Sequence, residues 1–212
     1  MRREFHVRFC ERAAVEFLRA THPNIYVRSE RAGLRVMESI KRFITQKLKL
    51  KVNEAKSTVA QPQERKFLGF SFTAGPDVKR TIAPKALERF KRRIREITRR
   101  AKGVSIKTTM EELALYMRGW RGYFGFCETP AVLIALTRWV RRRLRAALWR
   151  QWKTPRRRRA ALVANGVPER TASNAAGSGR GPWRLARSRA LSLGLSNAHF
   201  RSLGLPSLFG AC

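Results

Sequence analysis

Leu87, Phe90, Ile94 and Ile97 fall at i, i+3, i+7 and i+10, and the residues between them are charged. That spacing fits one face of a helix and no strand. Pro84 suits the first turn of this helix and Gly103 its end. Thr109 and Glu112 form a capping-box pattern for a second helix, with Leu113, Tyr116, Met117 and Trp120 on one face. A third starts near Pro130 and carries Leu133, Leu136, Val140, Leu144, Ala147 and Leu148 as its buried stripe. Residues 84–152 therefore read as a three-helix unit.

Charge limits what such helices can do. The chain has 47 Lys+Arg against 14 Asp+Glu, a net +33 over 212 residues. Like charges at that density repel one another in the compact state. A polyanion relieves the repulsion, and neutralised phosphates also release condensed counterions, so nucleic acid is the expected partner. A membrane is not expected: no apolar run approaches the roughly 20 residues that span a bilayer. The start, Met-Arg-Arg-Glu-Phe-His, makes a poor signal peptide. Cys10, Cys127 and Cys212 are too scattered for a disulfide framework or a zinc site, as are His6, His22 and His199 for metal binding. The expectation is a reducing, cytoplasmic setting with no cofactor and no metal.

Ahead of the helices the texture is mixed. In residues 1–23, Phe9, Ala13, Phe17 and Leu18 recur at near-helical spacing up to Pro23. Residues 24–29 read as a strand, with Ser29 as N-cap of a helix whose apolar face holds Val36, Met37, Ile40, Phe43 and Ile44. Leu48, Leu50 and Val52 alternate with lysines as a short strand would. Residues 67–72 read as another strand, turned back at Gly75-Pro76-Asp77 into 80–83. Beyond 152 come four consecutive arginines and a Gly-rich stretch at 172–181. Trp183, Leu191, Leu193, Leu195, Phe200 and Leu203 follow, apolar residues able to dock, so partial order is expected there.

Three stretches together resemble the group II intron reverse transcriptase/maturases. Leu50-Lys51-Val52-Asn53-Glu54-Ala55-Lys56-Ser57 is similar to the family's segment at the palm edge, and Phe67-Leu68-Gly69-Phe70 to its primer-gripping strand. Arg118-Gly119-Trp120-Arg121-Gly122-Tyr123-Phe124 resembles the maturase-specific (thumb) helices. So do the downstream Trp139, the arginines of 141–145 and Trp149-x-x-Trp152-Lys153. The resemblance covers roughly residues 24–160. It implies an α+β chain: an atypical N-terminal segment (1–23), a small palm-derived α/β remnant (24–83), a mainly helical, basic maturase domain (84–152) and a partly ordered basic tail (153–212). Residues 1–23 do not resemble the family, as a frameshifted or rearranged junction would produce.

The departure from the family concerns chemistry. Where its Tyr-Ala-Asp-Asp would hold magnesium, this chain has Thr21 and His22. Two-metal phosphoryl transfer needs carboxylates converging on ions about 4 Å apart. The only aspartate is Asp77, in a turn, and Glu111 and Glu112 point roughly 100° apart on a helix. No catalytic residues are assigned, and the chain is expected not to be an enzyme on its own. The resemblance puts Lys56 near an incoming nucleotide's phosphates and Gly69 on the primer side, both as remnants; from the residues themselves, Lys56 reads more readily as a solvated lysine after a turn.

Binding residues follow from helical geometry. Arg138, Arg142, Arg145 and Trp149 lie at i, i+4, i+7 and i+11, a stripe beside the apolar one. Arginine forks match phosphate oxygens, and a flanking Trp can stack on an unpaired base. The alternative is a solvated basic face with Trp149 partly in the core. Trp120 and Phe124 read as packing residues, Arg121 and Tyr123 as RNA contacts, and Arg156, Arg157, Arg158 and Arg159 as a phosphate clamp. The resemblance implies an RNA-binding protein that assists folding and splicing of a group II intron, its partner being intron RNA or other structured RNA. Other readings are a C-terminal fragment of an RNA-directed DNA polymerase completed by an upstream chain, a degenerate remnant, and a general basic nucleic-acid binder.

Overall fold

A computed structural model describes residues 5–8, 11–12, 24–64, 66–74, 77–99 and 105–210. The chain divides into two compact units, Met1–Ala83 and Pro84–Cys212.

The first unit is α/β. Strand β1 (Phe5–Arg8) is central in a three-stranded antiparallel sheet, between β3 (Asn24–Val27) and β5 (Thr58–Ala60). Val7 pairs with Ile25 on one side and Val59 on the other. The N-terminal segment thus supplies a strand to the first unit. Short β2 (Glu11–Arg12) pairs with β4 (Lys51–Val52). The near-helical pattern of Phe9, Ala13, Phe17 and Leu18 lies outside the described residues, as do Thr21, His22, Gly75, Pro76 and Gly103.

Helix α1 (Glu30–Gln46) begins where expected: Ser29 Oγ accepts from Ala32 N at 3.2 Å. Such a cap contributes typically about 1 kcal/mol. Met37 is buried against Ile25, Val27, Ile40 and Val59, and Ile44 is buried too, whereas Phe43 is more than half exposed. Two strands are shorter than the alternation suggests. Lys49 has φ +55°, which breaks the pattern of 48–52 and leaves only β4. The strand expected over 67–72 is split as well. Phe67 and Phe70 bridge across a tight turn in which Leu68 (φ +49°) and Gly69 (φ +82°) are left-handed, so β6 is Phe70–Phe72, paired with β7 (Arg80–Ile82).

The second unit is helical. Helices α2 (Pro84–Ile97), α3 (Ile106–Phe124) and α4 (Pro130–Gln151) bury Phe90, Ile94, Leu113, Met117, Leu136, Val140 and Leu144, with Leu87 half-buried. The ring of Phe90 lies 4.6 Å from Trp120, itself 4.6 Å from Phe124, so both act in packing. Arg93 bridges Glu96 and Glu112, joining α2 to α3. The cap of α3 lies a turn earlier than the Thr109–Glu112 pattern implies: Ser105 Oγ accepts from Thr108 N, and Thr109 donates back to Ser105 O inside the helix. Both hydroxyls fit capping chemistry, and the upstream one takes the position.

Helical structure continues through α5 (Pro155–Ala164), α6 (Glu169–Ala176), α7 (Pro182–Leu185), α8 (Arg189–Gly194) and α9 (Asn197–Ser202). Trp149, Leu162, Val167, Ala172, Leu185 and Leu191 form one buried cluster, so the end of α4 and the short helices share a core. The chain then returns, with Leu208 N donating to Thr137 Oγ1 of α4.

Candidate nucleic-acid interface

Helix α4 carries arginines around much of its circumference, and burial sorts them. Arg138 is exposed. Arg142 donates through Nε and a terminal nitrogen to the Trp183 carbonyl, at 3.3 and 3.0 Å, with its guanidinium 3.8 Å from the indole centroid. Arg145 donates to Leu195 O at 2.9 Å. Arg143 donates to the buried Thr98 hydroxyl at 3.0 Å and lies beside the Trp139 ring. Arg141 is half-buried, its Nε without a hydrogen-bond partner among the described residues.

These groups share one electrostatic signature. Burial lowers the pKa of Arg141, Arg142, Arg143 and Arg145 below the ordinary arginine value, and a neighbouring arginine lowers each further. That neighbour is Arg201 for Arg141, Arg187 for Arg142, Arg150 and then Arg95 for Arg143, and Arg141 for Arg145. Among the described residues none of the four forms an ion pair with a carboxylate. A cationic cluster that is partly desolvated and not internally neutralised gains from any anion that reaches it.

The proposed base-stacking residue is corrected. Trp149 is 1% exposed, in the core with Leu162 and Leu191, and its ring is covered by Arg158, whose guanidinium lies 4.7 Å from the centroid. A ring enclosed in this way has no face for a base. The stripe of Arg138, Arg142, Arg145 and Trp149 is therefore not a continuous open surface: Arg138 is open, Arg142 and Arg145 hold carbonyls of the following helices, and Trp149 is interior.

The arginine run is also divided. One helical turn fans it out on α5, where Thr154 caps the helix and Arg157 is exposed. Arg158 turns inward onto Trp149, and Arg159 pairs with Glu169 at 2.8 Å. Arg156 and Arg159 border an open groove of about 880 Å³ between α5 and α6, floored by Ala160, Val163, Ala164 and Ala176. On α3, Tyr123 is about half exposed and Arg121 donates to Gly210 O at 2.6 Å. In the first unit Lys56 is exposed at the end of a 3-10 turn, Glu54–Lys56. Gly69 O accepts from Ala83 N at 2.8 Å, a role in the hairpin base.

The arginine-bearing helices α2, α3 and α4, with most of α5, are the part of the chain that a family model recognises. Residues 87–163 match the model of the group II intron, maturase-specific domain. No curated protein matches the chain. The match agrees with a C-terminal maturase domain and implies a group II intron maturase-related function, with interaction with intron RNA in general. Within the maturase-specific segment lie Arg121, Tyr123, Arg138 and all the arginines of α4 and α5 named above. Trp183, Leu195 and Gly210, which contact those arginines, lie beyond it. Sequence reasoning placed Trp183 among docking residues and missed its pairing with Arg142; the partners are 41 positions apart, out of reach of local periodicity. Among the described residues no group of three or more His, Cys, Asp and Glu could hold a metal ion, and no helix is long and apolar enough to cross a membrane.

Proposed function

We propose that the protein binds structured RNA, group II intron RNA above all, and supports its active fold while the ribozyme performs the chemistry. The observation that carries this is the arginine cluster of α4, partly desolvated and unpaired with carboxylates, inside the segment matched to the maturase-specific domain. Arg121, Tyr123, Arg138, Arg156, Arg157 and Arg159 are the residues proposed to meet phosphates or bases. Phosphate contacts fix register and supply affinity, while unpaired loops and bulges supply the shape that distinguishes one RNA from another.

Competition tests this function. A labelled, folded group II intron RNA bound by the purified chain should resist displacement by a molar excess of an unrelated structured RNA. Equal displacement by both would reduce the protein to a general basic binder. The chain is further proposed to lack polymerase chemistry, since it offers one aspartate, Asp77, and that side chain pairs with Lys79 at 2.6 Å. Purified protein on a primed RNA template with magnesium or manganese should incorporate no nucleotides; template-dependent incorporation would contradict this.

A further inference from the structure

Trp183 is the second residue of α7, fixed beneath by its buried neighbours Leu185 and Ala186 and from the α4 side by Arg142. It is nevertheless 41% exposed, the most exposed of the five tryptophans. The Arg142 guanidinium sits 3.8 Å from the indole centroid, and the same fork holds the Trp183 carbonyl, so both ring and cation are pre-positioned. Close to Trp183 in the chain Arg180, Arg184 and Arg187 are exposed, Arg187 within electrostatic reach of Arg142, and among the described residues none of the three is paired with a carboxylate. An exposed aromatic side chain with unpaired cations close to it in the chain is the combination that single-stranded nucleic acid requires: a face on which a base stacks and charges that track its phosphates.

We infer that Trp183, clamped by Arg142, is a stacking platform for an unpaired nucleotide of RNA, with Arg180, Arg184 and Arg187 taking the flanking phosphates. The inference rests on the RNA-binding reading and extends it past the matched residues, making the helices after 163 part of the interface. It assigns to Trp183 the role that helical spacing suggested for Trp149. Arg142 is already lowered in pKa by burial and by Arg187, so a phosphate arriving beside the pair relieves repulsion while the base extends the arginine–indole stack. A fully paired duplex offers phosphates without a free base face, and so uses only half of the site.

The full chain, W183A and W183F are compared for binding to a hairpin RNA with an unpaired loop and to a fully paired RNA duplex of equal length. Circular dichroism and Tm establish that each variant is folded. W183A should bind the hairpin about tenfold more weakly while holding the duplex as before, and W183F should stay within about threefold of wild type on both. The salt slope should be the same for all three proteins, because stacking releases no counterions. W183A binding the hairpin as tightly as wild type, or losing hairpin and duplex equally, would overturn the inference and leave the RNA-binding reading intact. Wild type binding neither RNA would overturn both. Ultraviolet crosslinking of wild type to the hairpin supplies a readout independent of any variant. An adduct mapped to Trp183 is expected, and adducts confined to other residues count against the platform.

Discussion

Arginines on α4 make two kinds of contact, and the difference decides what each can do for RNA. Arg138 has its guanidinium in solvent, whereas Arg142, Arg143 and Arg145 spend donors on a carbonyl or hydroxyl within the protein. A fork that holds one internal acceptor still has further N–H groups to offer, so these residues can bind phosphate while fixing the fold. Replacing them removes both roles at once. Trp149 shows the limit of reading such a helix alone. The i, i+4, i+7, i+11 geometry of the arginine stripe is real, but the ring faces Leu162, Leu191 and Arg158, which arrive from later helices. Nothing within one turn of Trp149 announces them. Trp149→Ala should therefore act on stability, costing about 3–5 kcal/mol as buried aromatic truncations do. Denaturant unfolding checks this; a stability loss below about 1 kcal/mol, combined with weakened RNA binding, would restore Trp149 to the surface.

The elements were legible to the extent that local chemistry decides them. The Ser29 cap, the proline starts of α2 and α4 and the apolar stripes of the three long helices all follow from spacing. The boundaries of short strands do not, because single left-handed residues such as Lys49 and Leu68 override the alternation around them. The helices after Trp152 were harder still. Each is brief, and they are held by a shared cluster rather than by individual amphipathic faces. Gly194, at the end of α8, shows how closely they pack. A Cβ there would lie 2.8 Å from Val167 Cγ2 and 3.1 Å from Leu162 Cδ2. Both neighbours are buried and short, so they have little room to yield. Gly194→Ala gains helix propensity of at most about 1 kcal/mol. Overpacking costs typically about 1–3 kcal/mol, so the net effect should be a lower Tm. Gly177→Ala is the matched control: its Cβ would meet only Ser173 O at 3.5 Å and should be tolerated. Equal Tm values for the two variants would show that α8 does not pack on α5 as described.

Across the whole molecule, charge and fold point to the same partner from independent directions. A net +33 held on two compact units is an unfavourable state relieved by a polyanion. The segment matched to the maturase-specific domain carries part of that charge, and four arginines of α4 within it have no carboxylate partner among the described residues. The likeness to the maturase-specific domain was readable from the Gly-Trp-x-x-Tyr-Phe segment, and the proposed polyanion partner rests on composition. The arrangement of the arginines was not, because contacts such as Arg142 with Trp183 and Arg121 with Gly210 join residues 41 and 89 positions apart.

The most direct test of the central claim is the salt dependence of RNA binding by the intact chain. With roughly five to ten phosphates engaged, affinity should fall on the order of a thousandfold or more between about 50 and 200 mM salt, linearly on logarithmic axes. An affinity that is flat across that range, or RNA binding that is absent at the lowest salt, would contradict the account.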